Sequence, residues 1–115
     1  MNRQLGLEGE KIAAQYLLDN GYRIIERNYY TRYGELDIIC ERDKMIIFVE
    51  VKTRKSTKYG LPQEAITPKK IEHLKKAAIT YLKSCTKHYQ GIRFDVIAIL
   101  ITTNNQEINH IIEAF

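Results

Sequence analysis

The chain has 115 residues and a mass of 13.5 kDa, enough for one domain with a real core and too little for two. Hydrophobic residues make up 44% and charged residues 28%, an ordinary globular balance that excludes a disordered chain. Lys and Arg number 18 against 14 Asp and Glu, so the net charge of +4 permits a polyanionic partner without establishing one.

In chain order, Asn2 to Asp19 has helical period, with Leu5, Gly9, Ile12, Ala13 and Tyr16 on one face. Asn20-Gly21 stops this helix, since both residues tolerate the left-handed conformation. Tyr22 to Tyr30 is rich in β-branched and aromatic residues and reads as a strand, closed by a turn at Thr31–Gly34. Glu35–Arg42 and Met45–Thr53 read as two more strands around a two-residue turn, Asp43-Lys44. Arg54 to Leu61 is a polar loop. Thr67 and Pro68 have the chemistry of an N-cap and first helical position, and they open a long helix that ends before Gly91. Ile92–Ile101 is the most apolar strand, Asn104-Asn105 a turn, and Glu107–Phe115 a last short strand. The order α-β-β-β-α-β-β predicts an α/β domain with helices packed on a mixed sheet.

Several function classes drop out. No run approaches the ~18–20 apolar residues of a membrane-spanning helix, and no apolar signal region precedes Glu8. With only Cys40 and Cys85 there is no disulfide scaffold, and a reduced cytoplasmic protein is expected. The glycines form neither GxGxxG nor GxxxxGK, and neither Ser56 nor Ser84 sits in a GxSxG elbow. His73, His88 and His110 lack zinc-ligand spacing and have no visible catalytic partner. Carboxylate chemistry remains.

The hairpin around Asp43-Lys44 carries it. That turn sets Leu36 opposite Val51, Ile38 opposite Val49 and Cys40 opposite Ile47, an apolar face. The other face sets Ile39 opposite Phe48, Asp37 opposite Glu50 and Glu35 opposite Lys52. Directly paired carboxylates, with Cβ atoms ~5 Å apart, repel by roughly 3 kcal/mol at an effective dielectric of ~20. A divalent cation turns that repulsion into attraction, and an all-oxygen set suits Mg²⁺ or Mn²⁺. Lys52, on the face of Glu50, supplies an ammonium for a phosphate or an incoming hydroxide. The bland alternative is a solvated sheet edge with surface ion pairs. The apolar neighbours in Phe48-Val49-Glu50-Val51-Lys52 argue against full solvation.

Asp37, twelve intervening residues and Glu50-Val51-Lys52 resemble the signature of the PD-(D/E)XK nucleases, with Leu36 in place of the proline that precedes the Asp. More closely, the chain resembles the YraN-like family of small uncharacterised bacterial proteins, itself similar to archaeal Holliday junction resolvases. The matching stretches are Gly9-Glu10 with Ala13 and Tyr16-Leu17, Arg27-Asn28, Gly34–Ile39, Phe48–Arg54, Ala65–Lys70, Arg93–Val96 and His110–Phe115. The resemblance implies one restriction-endonuclease-like domain over residues 1–115. It also implies a Mg²⁺- or Mn²⁺-dependent endonuclease acting on DNA, branched DNA included. Asp37, Glu50 and the Val51 carbonyl become metal ligands, and Lys52 the base or electrostatic stabiliser. Glu10 resembles a first-helix glutamate that completes the resolvases' metal site, or is an ordinary exposed helix carboxylate. A homodimer is expected, because a four-way junction needs two symmetric cuts.

Other residues support this reading less directly. Glu35 either pairs with Lys52 or shapes the turn, and Gln63, which precedes the long helix, is a candidate to touch a metal-bound water or a phosphate. Arg27 and Arg32 around the first strand, and Arg54, Lys55 and Lys58 in a loop with Tyr59, suit phosphate-backbone contact. So do Lys69 and Lys70 at the start of the long helix, whereas Lys76, Lys83 and Lys87 read as a solvated stripe. Tyr29, Tyr30 and Tyr33 read as packing residues before base-stacking ones. Two rival functions stand beside the nuclease: a nucleic-acid-binding module with little catalysis, and a protein-assembly factor.

Overall fold

A computed structural model describes residues 3–58 and 60–115. Helix α1 spans Arg3–Asp19, strands β1, β2 and β3 span Arg23–Thr31, Gly34–Arg42 and Met45–Arg54, and a 3₁₀ turn covers Pro62–Ala65. Helix α2 spans Pro68–Lys83, and β4 and β5 span Gly91–Ile101 and Gln106–Ile111. The five strands form one sheet in the order β1-β2-β3-β4-β5, with β3 parallel to β4 and the other neighbours antiparallel. This is the mixed α/β arrangement that the sequence predicts. Neither helix is long and apolar enough to cross a membrane.

Both hairpin-turn residues, Asp43 and Lys44, have positive φ (52° and 66°), as a tight two-residue turn requires. The register follows the predicted one from Arg42↔Met45 to Ile38↔Val49. Successive β3 residues face opposite cores. Ile38, Cys40, Ile47, Val49 and Val51 join Ile97, Ile99 and the α1 residues Ala13, Ala14 and Leu17 on one side. Ile39, Ile46 and Phe48 join Leu74, Ala77 and Ala78 of α2 on the other. The helices therefore cover opposite faces of the sheet. Gly9 lets α1 sit down on β3, because a Cβ there would fall 1.8 Å from the Oγ1 of buried Thr53. Thr67 caps α2 by accepting from the Lys70 amide, with Pro68 at the first helical position.

Three expectations need correction. The last strand ends at Ile111, not Phe115. Glu113 takes φ 53°, and the Ala114 amide donates to the Phe94 carbonyl. That turn lays Phe115 on the Phe94 ring, with centroids 5.5 Å apart. Helix α2 stops at Lys83, well short of Gly91, so Cys85 lies half-buried in the following loop and Lys87 in that loop pairs with Glu41. Leu36 does not share a face with Ile38: it joins the α2 core instead. The assigned start at Asn2 lies outside the described residues, as does Tyr59.

His110, given no partner from sequence, belongs to a buried network. Its Nε2 lies 2.7 Å from Asp95 Oδ2 and its Nδ1 3.0 Å from the Tyr16 hydroxyl. Asp95, fully buried, also accepts two bonds from the Arg93 guanidinium and one from the Glu113 amide. Burial alone would raise its pKa, but the bonds from His110 and Arg93 win and hold it below the ordinary value. The network ties α1, β4, β5 and the terminal turn together.

Candidate active site

The chemistry gathers where β2 and β3 part. Their ladder stops at Ile38↔Val49, so the expected pairs Leu36/Val51, Asp37/Glu50 and Glu35/Lys52 do not form as ladder partners. The Asp37 side chain takes over instead, accepting from the Val51 amide at 2.9 Å. On its other side, β2 meets a distorted β1. Register shifts between Ile24 and Glu26, and Asn28 adopts φ 52°, a left-handed conformation that an Asn tolerates inside an otherwise extended strand.

That distortion aims Asn28 at the carboxylates. Its Nδ2 donates to Glu10 Oε1 at 2.7 Å and to Glu35 Oε1 at 3.0 Å. Glu10 from α1 and Glu35 and Asp37 from β2 thereby offer oxygens that all lie within 4.8 Å of one another. All three are partly buried. Glu35 thus sits with Glu10 and Asp37, and Lys52 takes a different partner, Glu50, its Nζ being 3.6 Å from Glu50 Oε2. Tyr30 is the one tyrosine of its group that does not pack: the residue is 75% exposed, and the nearby Glu35 carboxylate raises the pKa of its hydroxyl. Tyr29 packs edge-on against Tyr81, and Tyr33 packs against the α2 core.

Glu50 lies 3% exposed on the α2 side of the sheet, where Lys70 Nζ approaches Oε2 at 3.4 Å. Its Oε1 is buried without a hydrogen-bond partner among the described residues. A cavity of about 10 Å³, room for roughly one water, runs along Asp37 and Glu50 between Leu36, Phe48, Leu74 and Phe94. Loss of solvent, then the nearby Glu50 carboxylate, push the Asp37 carboxyl well above its ordinary pKa, and the Val51 amide only partly offsets them. Two carboxyl groups thus share one buried pocket, while Lys52 and Lys70 both approach Glu50 at Oε2 and its Oε1 is left without a hydrogen bond.

The remaining candidates are spread more widely. Lys70 is turned inward to Glu50, whereas Lys69 is exposed. Arg27 is exposed on β1, and Arg32 in the β1–β2 turn lies 4.8 Å over the Tyr33 ring. Arg54 ends β3 and donates to the Thr53 carbonyl. Lys55 lines a shallow depression with Glu8 and Thr102, and Lys58 is exposed in the following loop. Gln63 sits half-buried in the 3₁₀ turn, against β3 and β4. Asn28 is the residue that sequence reasoning passed over as a site member. Its signals are a strand-averse Asn within a run of β-formers and its place in the Arg27-Asn28 stretch of the family resemblance.

Residues 9–99 match the family described as "Uncharacterised protein family UPF0102". The chain belongs to the UPF0102 family. This is the YraN-like family that the motifs resemble. A UPF0102 protein of Syntrophomonas wolfei is 61% identical over 115 residues, covering 100% of both chains. One from Rhodococcus opacus is 43% identical over 99% of this chain and 98% of its own, and one from Chlorobium phaeobacteroides 49% identical over 96% and 92%. The UPF0102 match takes in Glu10, Asn28, Glu35, Asp37, Glu50, Lys52 and Lys70.

Proposed function

We propose that this UPF0102 protein is a divalent-cation-dependent nuclease that hydrolyses phosphodiester bonds of DNA, branched DNA among its substrates. One observation carries the reading: carboxylates of Glu10 from α1 and of Glu35 and Asp37 from β2 converge within 4.8 Å, and Asp37 shares a buried pocket with Glu50, which pairs with Lys52. The residues fit a hard cation. Every donor is oxygen, and Glu50 Oε1 is a buried oxygen without a hydrogen-bond partner among the described residues, although Lys52 and Lys70 approach Oε2. Glu10, Glu35 and Asp37 would hold the ion, with Glu50 and the Val51 carbonyl as the further ligands that the family resemblance implies. Mg²⁺ or Mn²⁺ in such a site supplies an activated water and relieves charge on the phosphate.

The chain's own residues do the positioning. Val51 fixes one oxygen of Asp37, and Asn28 fixes one each of Glu10 and Glu35, which leaves the remaining oxygens for the ion. Lys52, 21% exposed, presents Nζ at the edge of the site to stabilise negative charge on the attacked phosphate. Arg27, Arg32, Arg54, Lys55, Lys58 and Lys69 would engage the DNA backbone, and paired cuts in a four-way junction would call for a homodimer.

Lys52→Ala tests the assignment. Calorimetry should show Mn²⁺ affinity changed by less than about threefold, while cleavage falls by at least about 100-fold. Full cleavage by Lys52→Ala, or no Mn²⁺ binding by the wild type, would contradict it.

A further inference from the structure

The carboxylates open onto solvent through a cleft of about 470 Å³, and its walls are unlike its floor. Glu10, Glu35 and Asn28 form the acidic, hydrogen-bonded floor. Tyr30 and Leu7, 75% and 52% accessible, line the same cleft, together with Arg3. Tyr30 belongs to a strand whose other tyrosine, Tyr29, is packed against α2, so burial in this chain does not account for the orientation of the Tyr30 ring. Glu35 lies close enough to the Tyr30 hydroxyl to raise its pKa, and the side chain stays open to solvent.

We propose that Tyr30 and Leu7 form a nucleobase subsite that takes an unpaired base next to the phosphate held at the carboxylates. This rests on the nuclease reading and names its substrate class. A phosphate seated over Glu10 and Glu35 has this cleft directly beside it, and the adjoining nucleotide would enter between Tyr30 and Leu7, which line it. A base inside a duplex has both faces stacked on its neighbours and has none to offer a side chain. An aromatic face beside the reacting phosphate therefore selects nucleotides that are already unstacked: single strands, flaps and the branch points of junctions. Arg3 at the rim is placed for the next phosphate. Selection comes from stacking, so it carries no preference among base sequences.

The test uses the full chain with Ca²⁺, which takes oxygen ligands in looser geometry, and short DNA carrying 2-aminopurine in single-stranded or duplex form. Wild type should quench the single-stranded probe and bind it more tightly than the duplex. Tyr30→Ala should lose the quenching and about tenfold of the single-strand affinity, with duplex affinity unchanged, and Tyr30→Phe should keep both. Equal single-strand binding by Tyr30→Ala, or a matching loss on duplex, overturns the subsite even where wild type cuts DNA. A wild type that binds neither probe and cuts no DNA overturns the nuclease reading itself.

Discussion

Asp37 shows how one side chain can be costly to the fold and, on the proposed reading, needed at the site. Its carboxyl lies among Leu36, Phe48 and Leu74, next to Glu50, and both burial and repulsion favour the protonated form. Below about pH 4 the carboxyl is protonated in the folded and unfolded chain alike, and it carries no penalty. As pH rises the unfolded chain releases the proton first, so native stability falls from there up through the raised folded pKa. Asp37→Asn removes that penalty. Its melting temperature at neutral pH should exceed that of wild type by about 4 °C or more, and the gap should close near pH 4. Mn²⁺ should raise the melting temperature of wild type, more strongly at higher pH because a ligand must shed a proton, and leave Asp37→Asn unmoved. Thermal melts across pH with and without Mn²⁺ read all of this, and a less stable Asp37→Asn would contradict it.

Among the elements, contacts between α1 and the sheet decide whether the site exists. Gly9 precedes Glu10, and it is the absence of a Cβ that seats this turn of α1 on Thr53. Gly9→Ala should raise intrinsic helix propensity by about 1 kcal/mol, yet the overlap with Thr53 costs more, typically about 1–3 kcal/mol. The expected result is a net loss of stability by urea denaturation and a loss of Mn²⁺ affinity, because Glu10 moves with the helix. Thr53→Ala should restore part of both, since Oγ1 is the closest atom but Cβ also lies within 2.9 Å. A Gly9→Ala protein with wild-type stability and Mn²⁺ affinity would show that this seating does not matter.

The same elements show what could be read from residues alone. Alternation in Ile38, Cys40, Ile47 and Val49, with a two-residue turn, specified the hairpin register over five pairs. The reading broke beyond Ile38↔Val49, because an Asp37 side chain replaces a backbone partner there and period-two logic no longer holds. Leu36 changed face for that reason, and Glu35 went to Glu10 in place of Lys52. Asn28 was illegible as a site residue, since its importance comes from a left-handed φ that only the folded strand imposes. The end of β5 was overextended because Ile111-Ile112 continues the apolar pattern through a turn made at Glu113.

At the scale of the whole molecule, the helices sit on opposite faces of one sheet and reach the same split between β2 and β3. Helix α1 brings Glu10 from one side, and α2 brings Lys70 to Glu50 from the other. The net charge of +4 is modest, so affinity for a polyanion depends on the local field at this split more than on global attraction. The central claim is that the convergence of carboxylates is catalytic and not merely structural. Its most direct test is cleavage of labelled single-stranded, duplex and four-way-junction DNA by wild type and Asp37→Ala, in Mg²⁺, Mn²⁺ or EDTA. The account predicts cutting by wild type with either cation, none in EDTA, and none by a folded Asp37→Ala. Wild type that leaves every substrate intact with both cations, or cutting that survives in Asp37→Ala, would contradict it.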